Sequence, residues 1–300
     1  MATQEAEEAT ISLDAGPRSE SFTSTLESRF MYPDNIDMHD ELPLGSKLSI
    51  VVPVFNEGLA IRRNLGLLLD EVSAYFQQFE IIVVSDGSTD QTNLSLMSFG
   101  HPDVRPLLIE KNSGKGNAVR AGFHAASGDF ILFIDGGMEI HPKEIRIFIG
   151  LMKLYECDIV VGSKRHPQSR VAYPWYRRFL SFCFQKLVRV LFDIDVTDTQ
   201  VGIKLFRREV IQAVLPQLRI DRYGFDLELL CLAKKHGFGK ILEAPIEMNY
   251  FLKNKKNTVR EILHVLRVGS SLTLDTLKLY FRIRAIKSQE KDDNSFRQAI

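Results

Sequence analysis

From Lys47 to Ser163 the chain alternates short β-branched runs with longer stretches of helical spacing. The runs "KLSIVVPVF", "FEIIVVSDG", "VRPLLIEK", "DFILFID" and "CDIVVGS" have strand length and few polar breaks, as strands buried on both faces do. Between them, "NEGLAIRRNLGLLLDEVSAYF", "STDQTNLSLMSF", "GKGNAVRAGFHAA" and "PKEIRIFIGLMKLY" carry apolar residues at helical spacing. Parallel strands cannot be joined by a tight hairpin; each needs a crossover, usually a helix. The alternation therefore predicts an α/β fold, a mostly parallel central sheet with helices on both faces.

After Lys164 the rhythm changes. A long amphipathic segment is predicted from Tyr173 to Phe192, then a loop, "DIDVTDTQ", and a strand, "VGIKLF". A helix over roughly 225–236 and a strand, "ILEAPIEMNYF", follow. A last amphipathic helix is expected over 258–287, where Leu and Ile mix with Arg260, Arg267, Lys278, Arg282 and Arg284. Residues 1–45 and 288–300 are polar and read as flexible tails, which leaves 46–257 as the globular unit.

Lys plus Arg equals Asp plus Glu, 38 each, so no general affinity for nucleic acid is expected. Cys157, Cys183 and Cys231 are scattered and form no C-x-x-C pair, as reduced thiols of a cytosolic protein would be. The start, "MATQEAEEAT", lacks the apolar stretch of a signal peptide. No window reaches the roughly 18 uninterrupted apolar residues of a membrane span. The best candidate, "FLSFCFQKLVRVLF", is broken by Lys186 and Arg189. His101, His124, His141, His166, His236 and His264 show no metal-ligand spacing.

In open parallel sheets, ligands bind at the carboxyl ends of the strands. Those ends carry Asn56-Glu57, then Asp86-Gly87-Ser88-Thr89-Asp90, then Asp135, and finally Ser163-Lys164-Arg165. Acids and bases are thus expected on one rim. Helix capping accounts for Ser88 or Asp90. It accounts poorly for Asp86 and Asp135, which each close an apolar strand before a glycine. "KNSGKGNA" fails the P-loop pattern, since Gly116 and Asn117 follow Lys115, and no G-x-G-x-x-G follows the first strand. A glycine-rich helix start can still hold an anion on its backbone N–H groups.

The runs "IVVPVFNEG", "VVSDGSTDQT", "KNSGKGNAVRAGFHAASGDFILFID", "VVGSKR" and "DTQVGIKLFRREV" resemble the inverting GT-A glycosyltransferases of family 2. Within that family they look most like the polyprenyl-phosphate glycosyltransferases, the group of dolichyl-phosphate β-glucosyltransferase and dolichol-phosphate mannose synthase. The resemblance spans about residues 47–265, and "YGFDLELL" looks more like the glucosyl branch. It implies a GT-A (Rossmann-like) fold and transfer of glucose or mannose from a nucleotide sugar, UDP-glucose or GDP-mannose, to a polyprenyl phosphate. By the same resemblance Pro53, Phe55, Glu57 and Asp86 would border the nucleoside, with Lys115 also at the donor. Asp135 matches the first acid of a D-x-D motif that holds Mg²⁺ or Mn²⁺ against the diphosphate. The second acid is replaced by Gly137; Glu139 falls where a further metal ligand is placed. Lys164 stands where the family usually has arginine. Arg177 and Arg178 match a basic pair near the acceptor phosphate, and Lys256 a lysine that reaches the diphosphate.

A phosphate acceptor is already ionised near neutral pH and needs no strong general base, whereas a hydroxyl does. Asp226, in "YGFDLELL", would be that base; as a helix N-terminal acid it would instead complement the dipole. Three readings stay open: transfer to a polyprenyl phosphate, transfer to a saccharide or glycolipid hydroxyl, and a nucleotide-sugar-binding protein whose metal site is impaired at Gly136-Gly137. The basic and apolar segments "RRFLSFCFQKLVRVLF" and 258–287 also fit peripheral contact with an anionic membrane surface, on its cytoplasmic face.

Overall fold

The computed structural model describes residues 45–172, 175–249 and 267–285. Strand β1 (Leu48–Val54) is buried at every position. β2 (Phe79–Asp86), β3 (Val104–Ile109), β4 (Phe130–Ile134) and β5 (Ile159–Gly162) follow, as the apolar runs predict. Helices α1 (Ala60–Tyr75), α2 (Thr92–Met97), α3 (Lys115–Ala125) and α4 (Glu144–Tyr155) connect them. Their buried stripes recur every third or fourth residue, as in Ile61, Leu65, Leu68 and Val72 of α1. In α3 the stripe includes Gly122, where a Cβ would lie 2.2 Å from Val51 Cγ1; the glycine lets the helix lie close on β1.

The remaining elements are β6 (Arg170–Ala172), α5 (Trp175–Leu191), β7 (Ile203–Arg207), α6 (Arg208–Val214), α7 (Phe225–Lys235), β8 (Ile241–Ala244) and β9 (Glu247–Asn249). A last helix, α8, covers 267–285. The main sheet runs β3-β2-β1-β4-β7-β5-β8. All neighbouring pairs are parallel except those of β7, which is antiparallel to β4 and to β5. The sheet is thus mostly parallel, but the strand "VGIKLF" is threaded between β4 and β5 rather than added outside them. The alternation of the first half could not show this, because β7 arrives from a later crossover.

One expected strand divides. "ILEAPIEMNYF" yields β8 and β9 with a break at Pro245, which has no N–H to give a ladder. β9 leaves the main sheet and pairs with β6. α8 packs one face inward: Thr276 and Leu279 are buried, and Tyr280 meets Phe192 edge-on at 6.0 Å. Arg282 pairs with buried Glu228 of α7. The helix is therefore partly an ordinary core-facing one. Its other side leaves Leu274, Leu277 and Phe281 exposed. Of the expected tails 1–45 and 288–300, residues 1–44 and 288–300 lie outside the described residues, as do Lys256 and residues 258–266 and 286–287 of the expected last helix.

Candidate active site

The carboxyl ends of β1, β2 and β4 share one edge of the sheet, and the residues after them border a cleft of about 390 Å³. Pro53, Phe55 and Glu57 come from the end of β1, Asp86 from the end of β2, and Asp135 and Glu139 from the turn after β4. Lys115, the first residue of α3, faces them. These positions, predicted separately from strand ends and motifs, come together here. Arg222 and Tyr223, from the loop before α7, also line the cleft. The sequence reading missed them, since neither follows a strand.

Asp86 is held firmly. Its carboxylate accepts the backbone N–H of Ser113 at 3.0 Å and of Gly114 at 2.7 Å. The glycine-rich start of α3, expected to hold an anion, thus holds this carboxylate from its own chain. Gly114 has φ of 110°, and a Cβ there would lie 2.4 Å from the Asp221 carbonyl oxygen. A side chain at 114 would displace the loop that brings Arg222 and Tyr223 to the cleft.

Asp135 is placed by β7. Its N–H donates to the Gly202 carbonyl at 2.9 Å. A Cβ on Gly202 would sit 2.1 Å from Asp135 Oδ2, so only glycine lets the carboxylate rest there. The other oxygen, Oδ1, lies 2.6 Å from Lys115 Nζ. The turn continues through Gly136 and Gly137 to Met138, whose N–H returns to the Asp135 carbonyl at 3.0 Å with φ of 49°.

Behind this pair lies a second one, fully buried. Lys204 of β7 and Asp226 of α7 are ion-paired, and Lys204 Nζ also donates to the Val201 carbonyl at 2.7 Å. The two ammonium groups stand over the Phe133 ring, Lys115 at 5.3 Å and Lys204 at 5.0 Å from its centre. Burial pulls the Lys204 pKa below the usual lysine range, and the Asp226 carboxylate opposes that fall. Burial acts the same way on Lys115, but Asp135 and then Asp226 outweigh it and raise its pKa. Asp226 does stand in the first turn of its helix, but its carboxylate is spent on Lys204.

Lys164 and Arg165 do not join the cleft. With Phe179 and Phe182 of α5 and with Asp198 they line a separate hollow of about 630 Å³. Lys164 Nζ lies 3.2 Å from the Asp198 carboxylate, and the Arg165 guanidinium stands 5.8 Å from the Phe182 ring centre. The rim expected to gather all these acids and bases is split because β7 separates β4 from β5. Arg177 and Arg178 fall in the first turn of α5, the helix that walls this hollow.

The family model described as "Glycosyl transferase family 2" matches residues 49–215, more than half of the chain. The chain belongs to that family. Among curated members, human "Dolichyl-phosphate beta-glucosyltransferase" is 34% identical over 224 residues, 68% of this chain and 67% of the relative. A Trichomonas vaginalis protein with that name is 31% identical over 265 residues, 82% of this chain and 74% of the relative. Among solved structures, glucosyl-3-phosphoglycerate synthase from Mycobacterium tuberculosis in complex with UDP matches with a TM-score of 0.59 at 20% identity, covering 79% of this chain and 80% of that one. At that identity the likeness bears on the fold alone. The GT-A fold implied by the sequence is the fold observed, and the family makes the chain a glycosyltransferase.

The same synthase has been solved with Mn²⁺, UDP-glucose and phosphoglyceric acid. In this chain the expected cation ligands are Asp135 and Glu139, both at the cleft. Magnesium-like cations take about six oxygens in near-octahedral array. Among the described residues no group of three or more His, Cys, Asp or Glu is placed to hold a metal. Position 137 offers no side chain, and one Asp135 oxygen already faces an ammonium. By themselves Asp135 and Glu139 leave most of a divalent cation's shell to phosphate oxygens and water, and the Asp135 oxygen that faces Lys115 is contested by an ammonium.

Proposed function

We propose that the chain transfers a hexose, with inversion, from a nucleotide sugar to a polyprenyl phosphate at the cytoplasmic surface of a membrane. The observation that carries this reading is the pairing of Asp226 with Lys204. A hydroxyl acceptor must lose a proton as it attacks, and Asp226 is the carboxylate best matched to take it. Tied to a buried ammonium, Asp226 serves packing and charge balance instead. An acceptor that arrives ionised makes no such demand. Its oxygen bonds to the anomeric carbon, the bond to the β-phosphate oxygen breaks, and the electron pair leaves with the nucleoside diphosphate. What the site must then supply is positive charge toward the departing diphosphate and orientation of both partners.

The two hollows suit two phosphate-bearing substrates. The cleft at Asp86, Lys115 and Asp135 would take the donor. The second hollow combines Lys164 and Arg165 with the rings of Phe179 and Phe182, cations for a phosphate beside apolar surface for a prenyl chain. The curated relatives named dolichyl-phosphate beta-glucosyltransferase support glucose as the sugar and a dolichyl-type acceptor. Among the described residues no helix is long and apolar enough to cross a membrane. Exposed Phe179, Phe182 and Val190 on α5, with Lys186 and Arg189 on the same helix, would meet an anionic surface.

A second reading keeps the donor and changes the acceptor to a hydroxyl. It draws on glucosyl-3-phosphoglycerate synthase, a protein of this fold solved with phosphoglyceric acid rather than a lipid. The test offers purified protein labelled UDP-glucose or GDP-mannose, with polyprenyl phosphate in vesicles and soluble hydroxyl acceptors in competition. Label in the lipid phosphate, from one of the two donors, is expected. Label only on hydroxyl acceptors would replace the first reading by the second.

A further inference from the structure

The turn after β4 is where this chain departs from its family's expected pattern, and the structure shows what stands there instead. The second carboxylate is missing at Gly137. The first, on Asp135, is met by the ammonium of Lys115 at 2.6 Å, and both side chains line the cleft. Lys115 is not a free surface side chain. It starts α3, whose backbone is anchored by the bonds from Ser113 and Gly114 to Asp86. Its ammonium rests over Phe133 at 5.3 Å and Phe225 at 5.9 Å. Asp135 is held in turn by Gly202, whose carbonyl accepts its N–H at 2.9 Å and whose missing side chain leaves the space that Oδ2 occupies. Arg222 adds a second cation to the same wall.

Building on the donor reading above, we propose that Lys115 supplies the positive charge a divalent cation would otherwise bring, so that this site binds the nucleoside diphosphate without a metal. An ammonium has three N–H donors, and Asp135 accounts for one direction. The others are available to phosphate oxygens, as charge-assisted bonds. When the anomeric bond breaks, the pair left on the β-phosphate oxygen meets a cation already in position. Gly137 is then a consequence: a second carboxylate would compete for Lys115 and draw a metal back.

The test is binding, read by calorimetry on the full chain with UDP and GDP, first in excess EDTA and then in millimolar Mn²⁺. The better-binding nucleotide should show dissociation constants agreeing within about threefold in the two buffers, well under the tenfold that marks one lost strong contact. Lys115→Met should weaken binding about tenfold or more in both, with Lys115→Arg retaining most of it. Gly137→Asp should make the protein respond to Mn²⁺, tightening nucleotide binding by about tenfold. Wild-type binding that vanishes in EDTA and returns with Mn²⁺ would overturn the inference while leaving the donor reading intact. Unchanged binding in a Lys115→Met variant with a native circular dichroism spectrum would do the same. Binding of neither nucleotide in either buffer would overturn the donor reading and the inference together.

Discussion

At the scale of single residues, the site is built from carboxylates that are each already engaged. Asp86 is spent on two backbone N–H groups, Asp135 on Lys115, and Asp226 on Lys204. Their roles therefore separate under mutation. Asp135→Asn releases Lys115 from its partner at the cleft, and turnover of the nucleotide sugar should fall about a hundredfold or more. Glu139→Gln, in the same cleft, should cost much less; steady-state kinetics with saturating donor compares them. Asp226→Asn removes the counter-charge of a fully buried ammonium, so its main effect should be on stability, about 3–5 kcal/mol in urea unfolding. Replacing the pair together, Lys204→Met with Asp226→Leu, should recover most of that loss. A single Asp226→Asn variant of native stability whose kcat collapses would restore the general-base role.

Individual elements show how much was legible beforehand. The five apolar runs from Leu48 to Gly162 became the strands they suggest; β1, β2, β4 and β5 are largely buried, and a strand covered on both faces has little choice of composition, whereas β3 is a half-exposed edge strand. The residues closing β1, β2 and β4 could be named as site residues because parallel topology puts their ends on one edge. β7 was legible as a strand but not in its place. Its insertion between β4 and β5 depends on non-local pairing, Ile134 with Ile203 and Ile159 with Phe206, that local pattern does not encode. That unseen insertion separated Lys164 and Arg165 from Asp135. Arg222 and Tyr223 were missed for a similar reason: what carries them to the cleft is the fit of their loop against Gly114 and Gly116.

The opposite edge of the sheet offers a prediction at the same scale. Glu80 on β2 accepts hydrogen bonds from Ser49 Oγ on β1 at 2.7 Å and from Ser127 N at 2.8 Å and Oγ at 2.7 Å, just before β4. It thereby ties the amino ends of three strands. Burial alone would raise its pKa, but the bonds from Ser127 and Ser49, with the Lys47 ammonium, hold it at about 2 against an ordinary 4.5. A folded pKa below the unfolded one means the stabilisation is complete above about pH 4.5 and is lost as pH falls toward 2. That stabilisation is carried by the hydrogen bonds from Ser127 and Ser49 and by the Lys47 charge. Glu80→Gln should lose most of that at neutral pH and show a flatter acid limb than wild type. Denaturant unfolding at a series of pH values reads both.

For the whole molecule, the fold forms a polar cleft at the ends of β1, β2 and β4 and a separate hollow that is both apolar and basic, with α5 as a wall of the second. The proposed function assigns the cleft to the donor and the hollow to a lipid-borne acceptor. Exposed Phe179, Phe182 and Val190, together with the basic residues of α5, give that surface both apolar and electrostatic character. Binding to vesicles rich in anionic lipid should be strong at low salt and largely lost at high salt, where screening shortens the reach of each charge to a few ångströms. Flotation of the protein with vesicles across a salt series checks it. Binding indifferent to salt would point to an inserted segment instead.

The most direct measurement compares two acceptors that differ only by a phosphate, polyprenyl phosphate and the parent polyprenol, each in vesicles with labelled nucleotide sugar. Label is expected in the organic phase with polyprenyl phosphate and not with polyprenol, because the phosphate arrives ionised whereas the alcohol needs a base, and Asp226, the acid expected in that role, is paired with Lys204. Labelled polyprenol, or label on soluble saccharide with none on the lipid phosphate, would contradict the account.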